Sequence, residues 1–192
     1  MKAPATPGGA PIATPSQTVG PFFHFGLTPD ASGGTVRGVS GRERIQLVVR
    51  VTDGDGQPVT DAAVEIWHAG DVEATASAAS GELPLSGFGR LATREDGSCE
   101  FNTVRPGHVP GGPGATQASH VNVCLFARGL LRHLQTRIYF AGDPGLAADP
   151  VLALVPADRR GTLVARPDPP GGGRWLFDLR LQGPEETVFF DV

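Results

Sequence analysis

From residue 44 to residue 190 the chain repeatedly alternates between apolar and polar positions in short segments. In the segment at 44–51 the apolar positions fall on one face of an extended chain: Ile45, Leu47, Val49 and Val51. Successive side chains of a strand point to opposite faces, so this pattern predicts a strand with one buried side. By similar patterns we expect strands at 44–51, 62–69, 89–94, 99–104, 120–128, 133–140, 174–182 and 187–190.

Turn residues separate the first pairs of predicted strands. Asp-Gly dipeptides within 53–59 and 95–98 favour tight turns, so we expect two β-hairpins there. The Gly- and Pro-rich loop at 105–119 is too long for an ordinary connector, which suggests a functional loop. A short helical turn is expected at 156–160. Seven or eight short strands at this spacing predict an all-β fold, an antiparallel or mixed β-sandwich with long loops.

Composition narrows the choice of protein class. The 192 residues include 27 Gly and 18 Pro, a density that excludes helical bundles and coiled coils. The formal net charge is −4 and no basic face suited to nucleic acid is visible. No apolar stretch approaches the roughly 18 residues that span a bilayer. Residues 1–15 lack the apolar region of a signal peptide. We therefore expect a flexible arm at 1–15, a single domain at 16–192 and a cytoplasmic location.

Both ends of the predicted domain carry clustered aromatic residues. Phe22, Phe23 and Phe25 lie within four positions of the extended N-terminal arm, and Phe189 and Phe190 lie near the C-terminus. Such apolar area is typical of an obligate interface, and it serves equally well to close the core of the domain itself. Under either interpretation the arm docks on a surface.

The strongest chemical candidate from the residues alone is the pair His120 and Asn122. Residues i and i+2 of a strand project from the same face, roughly 6.5–7 Å apart, so two ligands placed there can share a metal ion. Asparagine offers only a neutral amide oxygen, a weak ligand for a trivalent cation. By spacing alone this is half a metal site, and a hydrogen-bonded structural histidine is the alternative. Cys99 and Cys124 are expected to be small buried side chains.

Six segments of the chain form a familiar set: PSQTVGPF (15–22), VEIWHA (64–69), RPG (105–107), HVNVCLFARG (120–129), TRIYFAGD (136–143) and QGPEETVFFDV (182–192). Together they resemble the intradiol ring-cleavage dioxygenases, over nearly the whole chain from about Thr14 to Val192. The resemblance implies a β-sandwich, in agreement with the alternation of apolar positions. It also implies cleavage of a catechol ring by dioxygen between the two hydroxyl-bearing carbons.

The resemblance further implies a non-haem Fe(III), held in iron-bearing members by two tyrosines and two histidines. This chain contains one tyrosine, Tyr139, so it cannot supply two phenolate ligands. Val109 stands where an iron-bearing chain carries one tyrosine, and Thr75 or a neighbour stands where it carries the other. The His-x-His pair has become His120-x-Asn122. We therefore expect no metal in this chain, with His120 and Asn122 as the relic metal site.

In two-chain members of the family, an alpha chain assembles with an iron-bearing beta chain, and the active site lies between them. The resemblance implies that this chain is of the alpha type, with Fe(III) bound by the partner beta chain. It also implies that Thr18 and Arg128 contact the substrate, since an arginine presents paired donors that match a carboxylate. The alternatives are a surface arginine of a strand and an ordinary turn cap.

Two other functions compete with this interpretation. Composition alone favours a non-enzymatic β-sandwich binding module, although such a module has no reason to carry both terminal segments. A self-sufficient catechol dioxygenase homodimer needs four metal ligands, and the single tyrosine excludes it.

Overall fold

The computed structural model describes residues 13–29, 31–34, 42–69 and 87–191. One α-helix, α1, spans Pro21–Leu27, and single 3-10 turns span Ala31–Gly34, Leu146–Ala148, Leu152–Leu154 and Arg160–Leu163. The strands are β1 Arg44–Thr52, β2 Ala63–Trp67, β3 Phe88–Ala92, β4 Ser98–Val104, β5 Val109–Pro110, β6 Thr116–Gln117, β7 His120–Phe126, β8 Leu134–Phe140, β9 Val164–Pro167 and β10 Arg174–Arg180. No helix in these ranges is long and apolar enough to cross a membrane.

Eight strands follow one another in the order β3-β2-β7-β8-β9-β10-β1-β4. Strand β9 divides this order into two sheets. Its first two residues, Val164 and Ala165, pair in parallel with β8, whereas Arg166 and Pro167 pair antiparallel with β10. The first sheet is β4-β1-β10 and the second is β3-β2-β7-β8. Strands β5 and β6 form a separate two-stranded ribbon within the predicted long loop.

The apolar faces of the two sheets meet in one core. Buried side chains come from both sheets: Leu47, Val49, Phe101, Phe177 and Leu179 from the first, and Val64, Ile66, Val123, Leu125 and Ile138 from the second. This packing confirms the predicted all-β sandwich of mixed strand direction. A smaller cluster forms where the segment at 146–163 covers Tyr139 on the outer face of β8.

The two predicted hairpins are wrong in their pairing, although the turns exist. Strand β1 pairs with β10 and β4, whereas β2 pairs with β3 and β7, so the turn at 53–59 leads from one sheet to the other. The turn at 95–98 likewise joins β3 of the second sheet to β4 of the first. Asp53 and Asp96 accept backbone N–H bonds in these turns. The hydrogen bonds within the turns are therefore as expected. At each turn, however, the chain passes from one sheet to the other, so consecutive strands bury their apolar faces from opposite sheets.

Two of three smaller predictions also need correction. Residues 187–190 form no strand, since the segment makes only one isolated bridge, between Phe190 and Gln135. The helical turn expected at 156–160 is found as a single hydrogen-bonded turn, in which the Arg159 N–H donates to the Pro156 carbonyl at 2.9 Å, and it leads into the 3-10 turn Arg160–Leu163. The arm is not extended throughout, because α1 begins at Pro21, a residue whose fixed φ suits the first helical position. Most of the predicted arm at 1–15 lies outside the described residues, and the domain bounds 16–192 stay a prediction.

Candidate functional site

The part of the N-terminal arm at 18–27, which follows the predicted flexible stretch at 1–15, meets the turn that joins β7 to β8. The backbone N–H of Gly129 donates to Thr18 Oγ1 at 2.8 Å, across 111 positions of sequence. Gly129 has φ of +84°, a conformation that glycine adopts without strain. The turn closes where the Leu130 N–H donates to the Ala127 carbonyl at 3.3 Å. The structure thus brings Thr18 next to Arg128, two residues that the sequence could only suggest separately.

Arg128 occupies the exposed tip of this turn. Its side chain is 74% exposed, and its Nε forms an ion pair with Oδ2 of Asp61, which lies just before β2. A guanidinium so placed can be reached by a group from outside the chain. No sequence pattern pointed to Asp61.

Aromatic rings hold the arm against the same region. The Phe23 ring packs on Phe126 at a centroid distance of 4.9 Å, and Phe126 in turn contacts His133 at 5.4 Å. This contact supports the expectation that the arm docks. Phe25 is 70% exposed, and the side chain of Phe22 lies outside the described part of the chain.

His120 is a buried, hydrogen-bonded histidine. Its Nδ1–H donates to the Ala118 carbonyl at 2.8 Å, and its ring lies 5.8 Å from that of Tyr139. Burial lowers the pKa of His120 below its usual value, and the positive charge of Arg137 lowers it further. The neutral ring is therefore the stable form in the fold.

Asn122 does not lie against His120 in a buried pocket, because its side chain is exposed. It stands opposite Arg137 on β8 and Trp67 on β2 in the strand register. The Arg137 guanidinium donates to Gln117 Oε1 at 2.7 Å. The face that carries Asn122 therefore presents a cationic side chain.

Tyr139 is committed to a structural hydrogen bond. Its hydroxyl donates to Asp149 Oδ1 at 3.1 Å, and burial raises its pKa to about 12. The same carboxylate accepts backbone N–H bonds from Ala118, Val151 and Leu152. The only phenol of the chain is thus a protonated donor within a satisfied network.

These residues do not fit Fe(III). Val109 in β5 has no donor atom, Tyr139 is bonded to Asp149, and the exposed Asn122 faces a guanidinium. Thr75 lies outside the described residues. Within the described ranges no group of three or more His, Cys, Asp or Glu side chains could hold a metal ion. Nor do the cysteines suit nucleophilic chemistry, since burial raises the pKa of Cys99 to about 12 and that of the half-buried Cys124 to about 11.

The RPG segment has a structural role in this chain. The Arg105 guanidinium stacks over the rings of Phe140 and Trp175, at 5.3 and 5.2 Å from their centroids. Its charge lies 3.5 Å from the buried carboxylate of Asp143, which also accepts from His108 Nε2 at 2.9 Å. These contacts fasten the start of the long loop to β8 and β10.

Comparisons with known proteins agree with the fold and with the family resemblance. A sequence model of the family described as Dioxygenase matches residues 20–183. The chain is 43% identical to the protocatechuate 3,4-dioxygenase alpha chain of Burkholderia cepacia, over 93% of this chain and 97% of the relative. It is 40% identical to the alpha chain of Pseudomonas putida, over 93% and 96% of the two chains.

A beta chain and a solved structure extend this relationship. Identity to the protocatechuate 3,4-dioxygenase beta chain of Burkholderia cepacia is 34%, over 76% of this chain and 67% of the relative. The structure of hydroxyquinol 1,2-dioxygenase from Pseudomonas putida superimposes with a TM-score of 0.60 and 20% identity, covering 88% of this chain and 66% of that chain. The similarity to this solved structure, at 20% identity, concerns the fold alone. The chain therefore belongs to the intradiol ring-cleavage dioxygenase family.

Proposed function

We propose that this chain is the alpha subunit of a protocatechuate 3,4-dioxygenase. Such an enzyme cleaves 3,4-dihydroxybenzoate between its hydroxyl groups with O2 and yields 3-carboxy-cis,cis-muconate, a step of aromatic catabolism in the beta-ketoadipate pathway. The identity of 43% and 40% to two alpha chains over almost the full length supports this assignment. A non-enzymatic binding module has no comparable support from the relatives.

The family depends on non-haem Fe(III). We assign the iron to a partner beta chain, because two ligand positions of this chain hold Val109 and the exposed amide of Asn122, and its one phenol, Tyr139, is bonded to Asp149. The role of this chain is then to assemble with the beta chain and to shape the pocket. No step of the oxygen chemistry is assigned to its own residues.

Thr18 and Arg128 are the groups of this chain that would reach the substrate. The observation that carries this proposal is the 2.8 Å hydrogen bond from Gly129 N–H to Thr18 Oγ1, which brings the arm beside the exposed guanidinium. A guanidinium offers parallel N–H donors to the carboxylate of an aromatic acid. Catechol lacks that carboxylate, so it cannot use the contact.

The test compares the two substrates in the assembled alpha-beta enzyme. Arg128→Ala should raise KM for protocatechuate by about tenfold or more, the effect of losing a hydrogen bond to a charged group. The KM for catechol should not change. Equal effects on both substrates would remove Arg128 from carboxylate recognition.

Assembly with a beta chain needs a separate test. The tagged chain should copurify with a second polypeptide of similar size, and the preparation should show the visible colour of an Fe(III)–phenolate centre. Colour in a preparation of this chain alone would contradict the assignment of iron to the partner. A colourless chain without a partner, with the tag shown not to block assembly, would contradict the whole proposal.

A further inference from the structure

Asp61 and Arg128 face each other because of the strand register. Strands β2 and β7 pair antiparallel with Ala63 opposite Phe126. Continuing this antiparallel register by two residues beyond β2 brings Asp61 opposite Arg128. The ion pair between Asp61 Oδ2 and Arg128 Nε agrees with this placement. The pair is therefore set by the backbone of the sheet.

The backbone around the pair is held firmly. Ala62 is fully buried, and its N–H donates to Thr93 Oγ1 at 3.0 Å while its carbonyl accepts from the Thr93 N–H at 2.9 Å. On the opposite side Ala127 is 2% exposed and closes the turn through its carbonyl. Asp61 thus projects from a rigid frame, whereas the arginine side chain it holds is long and exposed.

The ion pair leaves the binding edge of the guanidinium available. A guanidinium carries five N–H donors, and Nε bears one of them. The Asp61 carboxylate pairs with the guanidinium at Nε, and within the described part of the chain neither η-nitrogen makes a hydrogen bond. These nitrogens can form two parallel bonds to a carboxylate. A neutralising carboxylate behind the guanidinium fixes its direction without occupying that edge.

We propose that Asp61 is a positioning residue that orients Arg128 for the substrate carboxylate, and so raises the preference of the enzyme for a carboxylated catechol. This inference rests on the proposed function of Arg128. An unheld arginine side chain samples many rotamers, and its ordering must occur when substrate binds. Because Asp61 already holds the Arg128 side chain in the folded protein, less of this ordering has to occur when substrate binds.

The experiment uses the assembled alpha-beta enzyme with Asp61→Asn, which keeps the shape and removes the charge. The KM for protocatechuate should rise about three- to fivefold, the range expected for one partly exposed ion pair. The KM for catechol and the kcat for both substrates should not change. Asp61→Glu should recover much of the lost preference. Asp178→Asn is the matched control, since it breaks the exposed Asp178–Arg166 pair of the first sheet and should leave both KM values unchanged.

Two outcomes overturn the inference. If Asp61→Asn leaves the KM for protocatechuate unchanged or lowers it, Asp61 either has no effect or competes with the substrate. If it raises KM for both substrates equally, the role is structural. Arg128→Ala separates these failures from failure of the proposed function. If Arg128→Ala raises the KM for protocatechuate alone and Asp61→Asn does not, only the positioning role is rejected. If Arg128→Ala changes the KM for both substrates equally, the carboxylate contact itself is rejected.

Discussion

The Thr103 hydroxyl donates to His68 Nε2 at 2.7 Å, and this bond joins the two sheets of the sandwich. His68 directly follows β2 of the second sheet, whereas Thr103 lies in β4 of the first. Nδ1–H of the same ring donates to the Ala69 carbonyl at 3.3 Å, so both ring nitrogens are used by the neutral form.

This histidine should make the stability of the chain depend on pH. Burial lowers the pKa of His68 below 6.5 in the folded state, while the unfolded chain takes up a proton near 6.5. The unfolded state then binds more protons, so the free energy of unfolding is highest above pH 6.5 and falls as the pH drops below it. The slope approaches about 1.4 kcal/mol per pH unit for one histidine. Urea denaturation between pH 7.5 and 5.5, followed by the fluorescence of the buried Trp175, measures it.

His68→Gln provides the comparison, because an amide can still bond to Thr103 but does not titrate in this range. The variant should be less stable than the natural chain at pH 7.5 and should show a flatter pH dependence. Parallel curves for the two proteins would show that His68 does not carry the effect.

The Tyr139–Asp149 bond predicts unequal costs for its two partners. Tyr139→Phe removes one donor from a carboxylate that keeps three backbone N–H bonds. Its cost should be about 1 kcal/mol. Asp149→Ala leaves those N–H groups without their acceptor in a buried site, and its cost should be about 3 kcal/mol or more. Urea denaturation at pH 7.5 gives both values, and a larger loss for Tyr139→Phe would contradict this account.

Most strands were predictable because their signal is local. Alternation along β1 and β10 follows directly from burial of one face, as Val49 and Phe177 show. Strand pairing is not local: the turn after β1 has ordinary Asp-Gly chemistry, yet β1 pairs with β10, more than 120 positions away. The segment at 187–190 has the composition of a strand, but only Phe190 finds a partner backbone.

The candidate site likewise was predictable only in part. The resemblance identified Thr18 and Arg128, and the structure placed them together through a hydrogen bond that no sequence pattern encodes. Asp61 and Asp149 carry no local signature, since an aspartate before a strand or before a proline is commonplace. Their roles depend on which backbone atoms or side chains lie opposite, and this is fixed only by the register of the folded sheets.

The proposed assignment of iron to the partner chain predicts a simple result for the metal content. His120→Ala in the assembled enzyme should leave the iron per alpha-beta pair unchanged, because Nδ1 of this ring serves only the Ala118 carbonyl and the neighbouring positions supply no ligand set. Elemental analysis and the visible absorption of the purified complex measure this. Loss of iron with the complex still intact would show that this chain does bind the metal.

Gly129 offers a way to separate the arm contact from stability. Its φ of +84° disfavours any residue with a Cβ, although no atom lies within 4 Å of the position that a Cβ would take. Gly129→Ala should therefore cost about 1 kcal/mol through backbone strain alone. The strained backbone should also shift the Gly129 N–H and weaken its hydrogen bond to Thr18. The KM for protocatechuate in the assembled enzyme should therefore rise.

Two glycines provide matched controls for this change. Gly142 has φ of +79° and equally open surroundings, so Gly142→Ala should lose similar stability with no change in KM. Gly161 is open and has no positive φ, so Gly161→Ala should not lower stability and should leave KM unchanged. Thermal denaturation and substrate kinetics on the three variants distinguish the effects. If Gly142→Ala raised KM as much as Gly129→Ala, the loss would reflect general destabilisation, and the junction between the arm and the turn would have no special part in substrate binding.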